Sequence, residues 1–330
     1  MRIAAPNRLT VTNMVVKTRA AFSQNPGDVI FKGLALMFTL GILLLAALLV
    51  VQVITGSLES IREFGFFQFI VSTEWNPVSR QFGALHVLVG TLVSSLIAVV
   101  LAVPVAVGIA LFITEVGPRW MRGPVGFLVD VLAAIPSIVF GLWGAFVMLP
   151  WLLETVNPFL VDNFGWIPIF EGPSYGVSLF AAGIILAVMI VPIISAVARE
   201  IIYQVPQSQK EGMIAIGATR WETVWKVILP YARTGIIGGV ILGLARAIGE
   251  TMAVTMVIGN RTELTWSILQ QNATMASLIA NEFREATYDL YVSSLIHVGL
   301  VLMIVALLVN ILARLLVWSV VRGPSVEGQQ

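Results

Sequence analysis

Residues 211–230 read EGMIAIGATRWETVWKVILP, a polar-ended, helix-forming stretch between two long apolar runs. Ser208 and Glu211 stand at capping-box spacing, a hydroxyl at the helix start and a carboxylate three residues on, and Thr219 with Glu222 repeats the device. Two short helices are therefore expected. Gly217 lies just beyond the first, where a left-handed backbone is cheap for glycine, and Pro230 is expected to stop the second. Met213, Ile214 and Ile216 place apolar groups on a short helix with little core of its own. They need either a partner or the bilayer surface. A helix pair lying on lipid headgroups satisfies this as well as a protein docking surface does, and the residues alone leave both open.

The flanking runs fix the class. With 58% hydrophobic and 11% charged residues, the chain lies outside the range of a soluble globular domain of its length. Crossing about 30 Å of hydrocarbon takes roughly 20 helical residues. Six runs are long enough, near 31–55, 84–114, 124–150, 176–198, 234–258 and 293–319. The expectation is an all-α membrane domain over 31–319, with an N-terminal segment over 1–30 and a tail over 320–330. The first run starts too late and runs too long for the apolar core of a cleaved secretory signal, so it reads as a retained span. Pro104, Pro136 and Pro192 fall inside runs, where a missing backbone donor predicts kinks.

Orientation follows from the cations, because short cytoplasmic loops collect Lys and Arg. With the amino terminus inside, the inner segments hold Arg2, Arg8, Lys17, Arg19, Arg119, Arg122, Arg199, Lys210, Arg220, Lys226, Arg233 and Arg322, among others. The outer segments hold Arg62, Arg80, Arg261 and Arg284 against many more acids. Both termini, and the loop over 199–233, are thus expected in the cytoplasm.

The fifth run carries the second feature. LARAIGETMAV places Arg246 and Glu250 in an otherwise apolar helix, with Arg246 near its midpoint. A charge there costs about 2.5 to 3.5 kcal/mol on insertion scales, so it needs a partner or a watery cavity. Four residues apart, the two can pair, and a self-neutralising structural pair is one reading. Gly235, Gly239 and Gly243 recur every four residues, and at about 100° per residue the two charges extend that stripe. Small residues so spaced permit close helix approach in membranes, so this face is expected against another span or subunit. A charge pair on a protein-facing surface near the midplane can line a route for a polar or anionic solute. A guanidinium fork matches phosphate or carboxylate oxygens better than an ammonium does.

Two resemblances bear on these features. Glu211, Gly212, Met213, then Gly217, then Val227, Leu229 and Pro230 resemble the EAA loop of ABC importer permeases, whose pattern is EAA, three residues, G, nine residues, I, one residue, LP. Gly212 and Met213 replace its alanines and Val227 its isoleucine. Gly212 weakens the helix by roughly 1 kcal/mol relative to alanine. ARAIGETMAV over 245–254 is similar to the fifth-span signature of phosphate importer permeases, the PstC and PstA pair. GDVIFKGL, WNPV with FGAL, and ASLIANEF resemble the PstC type.

The resemblance implies a type I ABC importer permease fold with six transmembrane helices and a phosphate pathway in a bacterial or archaeal-type cell membrane. It implies a PstA-like second permease, a pair of PstB-like ATPase subunits at the loop, and a PstS-like extracytoplasmic phosphate-binding protein. Arg246 and Glu250 then carry over as pathway charges. The loop positions, Glu211, Gly212, Met213, Gly217, Leu229 and Pro230, carry over as the coupling helix that fits a groove of the ATPase.

Other features read as structural. His86 and His297 near span ends make a poor metal site. Asp130 is expected in an interfacial ion pair near Arg119 and Arg122, and Asn310 and Arg314 in interhelical bonding and snorkelling. Trp75, Trp120, Trp151, Trp166 and Trp318 suit the interfacial belt. The sequence holds no cysteine, no G-x-x-x-x-G-K-[ST], no H-E-x-x-H and no G-x-S-x-G. It therefore reads as a non-enzymatic subunit with no cofactor of its own, ATP and Mg²⁺ belonging to a partner. A permease for another oxyanion or small polar solute shares this architecture. An ion-coupled transporter using Glu250 fits worse, for want of an inverted repeat.

Overall fold

A computed structural model of the chain describes residues 26–173 and 175–321. Most of the N-terminal segment and tail expected over 1–30 and 320–330 lies outside the described residues. The chain forms two compact units that divide between Thr55 and Gly56. Among the described residues, six helices are long and apolar enough to cross a membrane.

The first unit contributes α1, Pro26–Gly56, whose last residue opens the second unit. Asp28 in its first turn complements the positive end of the helix dipole. Large apolar side chains such as Phe31, Phe38 and Ile42 are exposed along it. A helix apolar on every side is stable in hydrocarbon and not in water.

The second unit continues with α2 (Leu58–Phe64), α3 (Phe66–Val71), α4 (Leu85–Val116), α5 (Arg119–Ala134) and α6 (Ser137–Phe164). Then come α7 (Leu179–Tyr203), α8 (Gln207–Ala215), α9 (Arg220–Ile248), α10 (Met252–Val257), α11 (Met275–Glu282) and α12 (Asp289–Val321). At its centre α7 packs along both α4 and α9. Ala98, Ala102, Ala106 and Ala110 lie wholly buried at four-residue spacing on α4, cored with Ile185, Ile190 and Ile194 or with Ala198 and Ile202 of α7. On α9, a Cβ at Gly235, Gly239 or Gly243 would meet Ile201, Val197 or Ile194 of α7. Inside lipid such close packing draws on dispersion contacts rather than on removing surface from water.

Three elements depart from the sequence-based expectation. The third span is α6, beginning at Ser137 instead of near 124. Ile135 adopts an extended backbone (φ −68°, ψ 128°) ahead of Pro136, which caps the next helix, because proline disfavours helical geometry in its predecessor. The second short loop helix is continuous with the fifth span, and Pro230 does not stop it. Val224–Ile228 form a π turn in which Leu229 N–H bonds the Val224 carbonyl, and the wider turn accommodates the missing donor. At its far end α9 stops at Ile248, short of the expected 258, and the chain breaks through Gly249–Thr251 before α10.

Candidate functional site

The loop between α7 and α9 is assembled from local bonds. Pro206 precedes α8, and no side chain caps that helix, so the capping box expected from Ser208 and Glu211 does not form. Proline fixes the entry instead, its own N–H being absent where the helix has no use for one. At the other end Gly217 takes φ 87°. Gly217 N–H bonds the Ile214 carbonyl at 3.0 Å and Ala218 N–H bonds the Met213 carbonyl at 3.0 Å, which is a Schellman closure. Thr219 then starts α9: its hydroxyl accepts from Glu222 N–H at 3.2 Å while Glu222 Oε2 accepts from Thr219 N–H at 2.9 Å. This second capping box forms as its spacing requires.

The loop is also tied inward. Lys210 Nζ meets Glu115 Oε1 of α4 at 2.5 Å. Leu229 joins Val205, Val224, Ile228 and Ala232 in the core at this end. What remains outward is Glu211, Gly212, Ile214 and Ile216, the last two 56% and 79% exposed, with Met213 half-buried. The first half of the motif thus presents a surface, while Leu229 anchors it and Pro230 stands exposed beside that anchor.

The second site lies at the end of α9. Gly243 faces Ile190 and Ile194, the middle of the 25-residue α7. Arg246, one turn farther, therefore stands close to mid-span level, although it occupies the last turn of its own helix. The small-residue stripe continues through buried Ala247 and not, as the spacing predicted, through Arg246. The Arg246 side chain is 52% exposed, while that of Glu250 is only 5% exposed. Their Nη2 and Oε2 atoms are 3.4 Å apart.

Glu250 is not within α9 but in the break, where Oε1 accepts from Ala253 N–H at 3.3 Å. The break itself is pinned by α10 against α6: a Cβ on Gly141 would meet Ala253 and Met256, and one on Gly144 would meet Val257. A carboxylate is thus buried, hydrogen-bonded and neutralised by a guanidinium whose remaining donors are open to a ligand.

Other charged and polar groups settle differently from expectation. Asp130 pairs with Arg199 at 3.4 Å, since Arg122 is occupied with the carbonyls of Thr114, Glu115 and Gly117. Asn310 bonds its own helix at the Ala306 carbonyl. Trp75 is buried and donates to Glu282 Oε2 at 2.5 Å, where the Tyr291 hydroxyl also donates at 2.7 Å. That node was not foreseen, because no local spacing joins residues 75, 282 and 291. His297 is buried against the Ser60 hydroxyl at 3.0 Å, and His86 is buried in α4. Among the described residues no group of His, Cys, Asp or Glu could hold a metal ion.

Comparisons with known proteins bear on both sites. A family model described as a binding-protein-dependent transport system inner membrane component matches residues 102–322. The phosphate transport system permease protein PstC of Haemophilus influenzae is 43% identical over 92% of this chain and 97% of its own. The protein of the same name from Xylella fastidiosa is 46% identical over 86% and 87%. Among solved structures, a chain of a bacterial alginate ABC transporter in complex with an alginate-bound periplasmic protein aligns with a TM-score of 0.61. It is 17% identical, over 92% of this chain and all of that one, a likeness of fold alone.

Proposed function

The chain belongs to the family of binding-protein-dependent transport system inner membrane components, and from that premise we propose that it carries inorganic phosphate through a route completed by a second permease. It is an all-helical, multi-pass membrane protein of the type I ABC importer fold. It is a translocation subunit and not an enzyme.

The cargo reading is supported by the names of relatives 43% and 46% identical to it over the aligned residues, and above all by one observation: Arg246, half-exposed at mid-span level, is held by the buried carboxylate of Glu250. A bare arginine at that depth costs about 2.5 to 3.5 kcal/mol. Glu250 offsets that cost and orients the fork, leaving donors directed to an oxyanion arriving from the open side. Because the carboxylate also competes for the guanidinium, it keeps anion binding weak enough for release.

In this reading both termini and the α7–α9 loop are cytoplasmic, in agreement with the excess of Lys and Arg on that side. Glu211, Gly212, Met213 and Gly217 form the surface that a pair of ATPase subunits grips, with ATP and Mg²⁺ bound there and not on this chain. Leu229 and Pro230 seat that surface on the spans. A phosphate-binding protein delivers cargo at the opposite face of the cell membrane. Arg246→Gln removes the fork with little change in volume. We expect it to abolish phosphate uptake while the ATPase still copurifies; wild-type uptake by the variant would refute the assignment.

A further inference from the structure

A cavity of about 1270 Å³ opens between the α4–α5 turn and the α7–α9 loop, away from the Arg246 route. Its lining contains Arg119, Arg122, Lys210 and Arg220 against a single carboxylate, Glu115. The roles of these charges can be assigned one by one. Lys210 is neutralised by Glu115 at 2.5 Å. Arg122 is fixed by three carbonyls at the end of α4, at 2.8, 2.9 and 3.1 Å; these bonds leave its charge uncompensated.

Arg119 and Arg220 are exposed, and neither guanidinium has a hydrogen-bond or ion-pair partner among the described residues. The cavity therefore carries a clear excess of positive charge. Trp120 and Trp221, next in sequence to these two arginines, are 76% and 62% exposed. Tryptophans so placed mark the headgroup level of a bilayer. Guanidinium groups lining one cavity at that depth match a phosphate group, whose oxygens accept paired N–H donors.

We propose that this cavity binds a phosphate group, held by Arg119 and Arg220, from either an anionic phospholipid headgroup or inorganic phosphate. Such an occupant bridges the start of α5 and the start of α9, so it bears on the position of the loop without entering the transport route. The site does not depend on phosphate being the cargo. Its failure leaves the Arg246 assignment standing, and the converse also holds.

The test uses the complete complex, wild type and R119Q/R220Q, reconstituted with phosphatidylglycerol or with phosphatidylcholine alone, and in detergent with added inorganic phosphate. Retained lipid is counted by native mass spectrometry and phosphate binding is read as a thermal shift. We expect the double variant to bind about tenfold more weakly per arginine removed. Loss confined to phosphatidylglycerol identifies a headgroup, and loss confined to the phosphate-induced shift identifies the free anion. Equal behaviour of the two proteins with both probes overturns the proposal, including the case in which an acidic face of the ATPase fills the cavity. Should R119Q/R220Q fail to assemble, R119K/R220K, which keeps charge and loses the fork, carries the same comparison.

Discussion

The α7–α9 loop and the break after α9 are built in opposite ways. In the loop the bonds that shape the helix ends join residues within five positions of each other, Ala218 to Met213, Gly217 to Ile214 and Thr219 to Glu222, while Lys210 ties the loop to Glu115 of α4. At the break Glu250 is satisfied locally by Ala253 and Arg246, but the backbone turn that buries it exists only because α6 and α7 grip α10. The helix ends of the loop are thus specified by neighbours along the chain. The break needs the folded bundle, and the guanidinium it holds stands half-exposed. Under the proposed function, local construction suits a handle whose shape must survive cycles of docking, and bundle-dependent construction suits a site that opens and closes with the helices around it.

Four substitutions can break or sharpen this contrast. Glu250→Leu should have the largest effect. It keeps volume and leaves Arg246 unpaired, so phosphate uptake should fall at least about tenfold while the ATPase still copurifies; unchanged uptake would make the pair purely structural.

Gly217→Val comes next. A β-branched residue at φ 87° costs about 1 to 2 kcal/mol and loosens the Schellman closure. Substrate-stimulated ATP hydrolysis should drop severalfold or the ATPase should be lost on purification. Normal coupling would favour a loop resting on lipid.

Thr219→Ala removes one cap at a cost of about 1 kcal/mol, which hydrogen exchange should register as faster exchange confined to the first turn of α9. Gly212→Ala should have the smallest effect and the opposite sign. No atom beyond its own stretch of helix backbone lies within 4 Å of a Cβ built there, so the variant should slow exchange in α8 through a gain of about 1 kcal/mol in helix propensity. Faster exchange would mean that Gly212 serves a bend and not a surface.

What could be read from sequence divides along the same line. Six apolar runs, the Thr219–Glu222 box and the left-handed Gly217 rest on neighbours along the chain, and each is found in the fold. Ser208 failed as a cap because Pro206 already fixes the start of α8. Pro230 failed as a stop because a π turn absorbs it, and the turn is seated in a core drawn from α4, α7 and α9. Placing Arg246 and Glu250 on the glycine stripe failed because the four-residue repeat from Gly243 falls on Ala247, which takes the buried position, and because α9 ends before Glu250. Pairing Asp130 with Arg119 or Arg122 failed for the same kind of reason, Arg199 being distant in sequence and adjacent in space. Helical periodicity describes a helix only for as long as the helix lasts, and where it ends is decided by packing.

The most direct measurement is phosphate uptake into vesicles holding this chain with a second permease, the ATPase and the binding protein, with and without ATP and with excess sulfate as competitor. The account predicts accumulation that requires ATP and is unaffected by sulfate. ATP turnover without phosphate movement, or uptake that sulfate suppresses, would contradict it.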